Sequence, residues 1–155
     1  MATAIRRLAA GFCILLLAAC GGDAGLDQHA RKVTAASLEG QWLIINYWAQ
    51  WCAPCRHEIP ALNQLAGELG DEPVQVLGVN FDGLQGEALA QASTELGIEF
   101  RVLATDPAPR FGLPRSQVLP VTFLVGPDGR LRRQLAGEQS LASLRAALAE
   151  VRAAE

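Results

Sequence analysis

The chain has 155 residues, half of them hydrophobic and 19% charged, which is ordinary globular material for one domain and too little for two. The formal net charge is −3 and Lys32 is the sole lysine. With no basic field to gather phosphate backbones, the composition argues against nucleic acid as a partner.

In residues 1–19, Arg6 and Arg7 precede an apolar run from Leu8 to Ala19. The run is too short to span a bilayer and suits a secretory signal peptide. A buried N-terminal helix, the alternative, leaves the paired arginines and the abrupt change to GGDAG unexplained. Leu17-Ala18-Ala19-Cys20, closing the apolar run, resembles the lipobox of bacterial lipoproteins, in which the cysteine becomes the acylated first residue of the mature chain. The resemblance implies lipidation at Cys20 and a periplasmic protein anchored to the inner or outer membrane; Gly21, where aspartate commonly retains lipoproteins at the inner membrane, points to the outer. Residues 20–30 read as the lipidated cysteine and a flexible tether reaching roughly 17 Å. The folded domain is expected over 31–155, with a short hairpin or turn within 26–41.

The run 42–48 (WLIINYW) is apolar, β-branched and aromatic, as expected of a strand buried on both faces. Beyond Cys52 and Cys55, Ile59, Leu62, Leu65, Ala66 and Leu69 recur at helical spacing. A second buried strand is predicted over 74–81, parallel to the first by a right-handed crossover, then a helix over 86–96 and a short strand over 100–103. Residues 106–117 read as a Pro-rich loop. The run 121–125, a Gly126-Pro127-Asp128-Gly129 turn and 130–135 predict a hairpin, and Ser140 can cap a last helix whose Leu141, Leu144, Leu148 and Val151 pack on the sheet. The fold class is α/β, a central mixed β-sheet flanked by helices.

Loss of Cys13 with the signal and acylation of Cys20 would leave Cys52 and Cys55 as the pair to explain. A loop this short removes little unfolded-state entropy, so the pair is a poor structural staple. Covalent haem attachment needs C-x-x-C-H, and residue 56 is Arg. A zinc site would have only His29, His57 and carboxylates to complete its ligands. Cys52 falls where a strand ends and a helix begins, where unpaired N–H groups and the macrodipole stabilise a thiolate. Cys52 is therefore the expected attacking sulfur, and Cys55, one turn on and more buried, the resolving one. Pro54 suits a first helical turn. Pro60 either bends one helix running through it or marks the helix start, and the apolar register from Ile59 favours the first.

Trp51-Cys52-Ala53-Pro54-Cys55 after a hydrophobic strand, Pro60, and Leu119-Pro120-Val121-Thr122-Phe123-Leu124 before the Gly126–Arg130 turn resemble the thioredoxin superfamily. Within it, the chain is most similar to the membrane-tethered TlpA/ResA/DsbE-like thiol-disulfide oxidoreductases, over residues 38–151. The resemblance implies that Pro120 follows a cis bond beside the cysteine pair, turning the Leu119 backbone toward an extended substrate chain. It implies that Trp51, Ala53, Pro54 and Leu119 line the substrate and that Trp48 belongs to the core. Asn46 departs from the buried aspartate of ordinary thioredoxin. Glu58 matches an active-site glutamate of the ResA-like proteins and, with a pKa raised by partial burial, is expected to move protons to and from Cys55, the alternative being an exposed helix carboxylate. Arg56 either favours the Cys52 thiolate or is solvated, and His57 is expected at the surface.

What the resemblance implies is an enzyme reducing disulfides in partner proteins, apocytochrome c among the candidates, with electrons from a membrane thiol relay. It implies no cofactor beyond the Cys52/Cys55 disulfide, and a monomer. Ala49, where peroxiredoxins carry threonine, argues against a peroxidase. The alternatives are a periplasmic thiol oxidant and a non-enzymatic binding module or metallochaperone.

Overall fold

The computed structural model describes residues 22–155, so the expected signal segment, Cys13 and Cys20 lie outside the described residues. In chain order the elements are β1 (Asp23–Leu26), β2 (Lys32–Thr34), a 3₁₀ turn (Ala35–Ser37), β3 (Trp42–Trp48), α1 (Ala53–Leu69), β4 (Val74–Asn80), α2 (Gly86–Glu95), β5 (Arg101–Leu103), α3 (Ala108–Phe111), β6 (Val121–Val125), β7 (Leu131–Ala136) and α4 (Leu141–Ala153).

A strand whose residues are apolar or aromatic at all positions but one, Asn46, is stable only with both faces covered, and β3 is buried along its whole length at the centre of a five-stranded sheet ordered β5-β4-β3-β6-β7. It pairs parallel with β4 and antiparallel with β6, which makes the sheet mixed as expected. Side chains alternate between faces. Trp42, Ile44 and Trp48 pack with Ile59, Leu62, Leu65 and Leu69 of α1 and Leu144, Leu148 and Val151 of α4. Leu43, Ile45 and Tyr47 face the opposite layer, with Val33, Leu38, Phe111 and Leu113. Asn46, between Ile44 and Trp48, is thereby directed at α1. Its β4 neighbour is Gly78, where a Cβ would come within 3.0 Å of the Trp48 indole nitrogen, so glycine leaves the room that Trp48 occupies.

Helix α1 begins with Cys52 as its N-cap and Pro54 in its first turn, and runs unbroken through Pro60 to Leu69. The missing N–H of Pro60 costs a bond within the helix, but Ile59 and Leu62, 2% and 0% exposed, keep the segment seated on the sheet. Because Leu62 sits at the centre of this face, Leu62→Ala is expected to cost about 2–5 kcal/mol, read as a lower urea midpoint at unchanged slope. The Ser140 hydroxyl caps α4 by accepting the Ser143 N–H at 3.1 Å.

The expected tether is folded over its described part. Asp23–Leu26 pairs antiparallel with Lys32–Thr34, and the Gln28 side chain bridges the Phe100 carbonyl (3.1 Å) and the Val102 N–H (2.8 Å) at the sheet edge. Asp27, 3% exposed, accepts the N–H groups of His29 and Arg31 and the Arg31 guanidinium. Directed hydrogen bonds supply here what apolar burial does not. The Gly22 carbonyl already accepts the Ala35 N–H at 2.8 Å. The expected loop over 106–117 contains the short helix α3, which buries Phe111 and is closed by Gly112 in the left-handed region (φ 60°). Elsewhere strand and helix ends differ from the expected ones by a residue.

Candidate active site

Strand β3 delivers the chain to its C-terminal end, a loop follows, and Cys52 caps the helix that turns back. Cys52 and Cys55 are joined in a disulfide with Cα atoms 5.3 Å apart, and the Cys55 N–H donates to Cys52 Sγ at 3.2 Å. That N–H is one of the orphan donors of the first helical turn, so the feature that caps the helix also solvates negative charge on Cys52. The two cysteines are 4% and 2% exposed, so Cys52 is nearly as covered as Cys55 in this oxidised state, contrary to the expected contrast. Trp51, Ala53 and Pro54, which surround the disulfide in sequence, are exposed.

Trp51 is 64% exposed, and its indole N–H donates to both carboxylate oxygens of Asp82, at 3.0 and 3.2 Å. Trp48 is fully buried. The Arg56 guanidinium donates to the Gln50 carbonyl at 3.1 Å, an engagement that turns it to the backbone. His57 lies at the surface with its Nδ1 3.6 Å from Glu138 Oε2.

The Leu119–Pro120 bond is cis. Val121 pairs with Tyr47, so Pro120 lies at the end of β3 from which the cysteine loop departs. Leu119 packs against the cluster that holds Cys52 and Cys55. The Pro120 carbonyl accepts the Gly137 N–H at 2.9 Å, while the Leu119 backbone makes no hydrogen bond within the described residues and can pair with an extended chain.

Glu58 shares a face of α1 with Cys55, one turn away, and is 1% exposed, so it is not a surface carboxylate. Burial against the apolar sheet face pushes its pKa from the ordinary 4.5 up to about 7; the Thr122 hydroxyl opposes the rise, the charge of Glu138 adds to it, and the Asn46 amide opposes it. The Thr122 hydroxyl and the Asn46 amide donate to Glu58 Oε1 at 3.4 and 3.5 Å, and Oε2 is buried without a partner. An acid with a pKa near neutrality, one turn from a thiol, can accept and return a proton.

Sequence reading passed over Thr122 and Glu138. The signal for Thr122 was present: it lies in the Leu119–Leu124 segment, and alternation from Val121 directs it at α1. Exposed Phe81 (41%) and Val118 (56%) were also missed. A cleft of about 370 Å³ opens on the opposite sheet face between Tyr47, Phe81, Pro114 and Val121. There the Tyr47 hydroxyl donates to Asp106 at 2.6 Å.

The AhpC/TSA family model matches residues 17–134. Thiol-disulfide oxidoreductase ResA of Bacillus anthracis is 26% identical over 125 residues, 81% of this chain and 72% of that protein. Thiol:disulfide interchange protein HelX of Rhodobacter capsulatus is 33% identical over 113 residues, 72% of this chain and 61% of that one. A thiol:disulfide interchange protein of the thioredoxin family from Chlorobium tepidum superposes with a TM-score of 0.70 at 23% identity, covering 84% of this chain and 92% of that one, a likeness of fold. The chain belongs to the AhpC/TSA family, has the thioredoxin fold, and is an enzyme of the thiol-disulfide oxidoreductase class.

Proposed function

We propose that the protein reduces disulfides in partner proteins outside the cytoplasm, held at a membrane by lipid on Cys20. The Cys52 thiolate attacks a sulfur of the partner disulfide, that S–S bond breaks, and a mixed disulfide forms as the partner's other sulfur leaves as a thiolate. Glu58 takes the proton of the Cys55 thiol, and the Cys55 thiolate attacks Cys52 Sγ. The partner leaves as a dithiol and the enzyme is left with the Cys52–Cys55 disulfide. Two electrons from a thiol donor restore the dithiol, and the cysteine pair is the sole electron carrier.

The observation that carries the redox cycle is the placement of Cys52, at once the cap of α1 and half of the disulfide. The reductive direction rests on the resemblance to the ResA- and DsbE-like proteins. Glu58 is buried one turn from Cys55 and Asp82 is bonded to Trp51 beside Cys52, while Arg56 is engaged with a backbone carbonyl. The cap of α1 favours the Cys52 thiolate and these carboxylates oppose it, and the reduction potential follows from that balance. The relatives ResA, a thiol-disulfide oxidoreductase, and HelX, a thiol:disulfide interchange protein, support a disulfide as substrate; on our reading the candidate is apocytochrome c, the electron donor a membrane thiol relay and the protein a monomer.

Gly21 alone separates Cys20 from the folded chain at Gly22, so an acylated Cys20 would hold the domain against the bilayer rather than some 17 Å away. Cys20→Ala is expected to move the protein from the membrane fraction to the soluble one. Insulin reduction by the dithiol form, recycled by a small thiol, tests the activity; an inactive protein carrying stoichiometric metal would overturn it in favour of a metal carrier.

A further inference from the structure

The polar groups on the sheet face beneath α1 are few, and two of them meet Glu58 of α1. Asn46 on β3 and Thr122 on β6 are register partners, 1% and 0% exposed, and the Asn46 amide donates to the Thr122 hydroxyl oxygen at 2.9 Å. Both groups then reach Glu58 Oε1, the amide at 3.5 Å and the hydroxyl at 3.4 Å. On the other side of Asn46 stands Gly78, which offers no side chain, so the carboxyl is held from the β6 side. Oε2 has no partner.

We infer that Asn46 and Thr122 are positioning residues for the resolving step, a two-point clamp on Glu58 Oε1 that leaves Oε2 as the oxygen exchanging a proton with Cys55. This rests on the reading of Glu58 as the proton acceptor. A carboxyl without the clamp could turn either oxygen to Cys55 and would lose two donors to its ionised form. Thr122 lies two residues beyond Pro120, so the clamp couples Glu58 to the segment that meets the substrate backbone. The hydroxyl has one proton, which Glu58 Oε1 receives, and its own lone pair receives the amide: a chain with one direction. Donation into Oε1 favours the carboxylate; burial and Glu138, whose carboxylate faces this end of α1 beside His57, oppose it. In the oxidised state Cys55 is held in the disulfide and cannot exchange a proton; reduction turns it into a thiol one turn from Oε2.

The test is a carboxyl carbon-13 NMR titration of Glu58 in the oxidised protein, paired with the pH dependence of the Cys55 resolution rate in stopped flow. Thr122→Val, close to isosteric, and Asn46→Leu are expected to raise the Glu58 midpoint by about one unit, and the alkaline rise of the rate moves with it. Thr122→Ser, which keeps the hydroxyl, stays within about 0.3 units of the parent. Thermal unfolding at pH 5, where Glu58 is protonated in every form, checks that the variants fold. The clamp is overturned if Thr122→Val and Asn46→Leu leave both midpoints in place while Glu58→Gln removes the rise. A rise that survives Glu58→Gln overturns the base reading and the clamp with it.

Discussion

Cys52→Ser is expected to lower disulfide reduction by at least about a thousandfold, while Cys55→Ser lowers turnover for a different reason. Without Cys52 no sulfur at the cap of α1 can attack, and the exposed rim of Trp51, Ala53 and Pro54 binds without reacting. Without Cys55 the attack proceeds but the mixed disulfide has no internal thiol to break it. A partner protein should then accumulate covalently on Cys55→Ser, visible as a band on a non-reducing gel that disappears with added thiol. Both variants replace a buried sulfur by a hydroxyl and lose the bridge of the oxidised form, so the comparison belongs with the reduced protein. If the band instead forms on Cys52→Ser, the assignment of attacking and resolving sulfurs is reversed.

Glu58→Gln is expected to change stability and its pH dependence together. The native pKa of about 7 lies above the ordinary 4.5, so between those values the native protein binds more protons than the unfolded chain. The stabilisation is complete below about pH 4.5 and is lost as pH rises through about 7, a decline of about 3 kcal/mol from this group. Above pH 8 a buried, ionised carboxyl with one oxygen unpartnered remains, and glutamine removes that charge. The variant should therefore gain up to about 3 kcal/mol over the parent at pH 8 and nothing at pH 4.5, measured by urea unfolding at both values. Activity should move the other way, with resolution slowed and its rise near pH 7 absent. A variant more stable and less active at the same pH is the signature of a group retained for chemistry; equal stability at pH 8 would place the ionised carboxyl in water.

Much of the fold was legible because its strongest elements carry their own pattern. The run 42–48 has no polar face to show solvent, and Ile59, Leu62, Leu65 and Leu69 repeat at helical spacing across Pro60, so β3 and α1 follow from local sequence. The β1–β2 hairpin was legible only as a hairpin or turn within 26–41; its first strand, Asp23–Leu26, fell in the expected tether, since 23–32 is mostly small and polar. What folds it is Gln28 reaching backbone groups 72 and 74 positions away, which no local window contains. The helix α3 is four residues long and begins beside two prolines, too short to repeat a pattern. At the site, the cysteine spacing and the segment around Pro120 were readable, and so was the one-turn offset of Glu58 from Cys55. Partial burial of Glu58 was expected, but its depth and its partners were not legible, because Thr122, 64 positions on, closes over the carboxyl with Asn46.

The direction of the cycle depends on how far this site stabilises the Cys52 thiolate, and the reduction potential of the Cys52–Cys55 couple reads that balance directly. Equilibration against a defined thiol buffer, followed by trapping of the free thiols, should return a value near thioredoxin's, about −270 mV. A value near about −120 mV, that of a strong oxidant, would contradict the account.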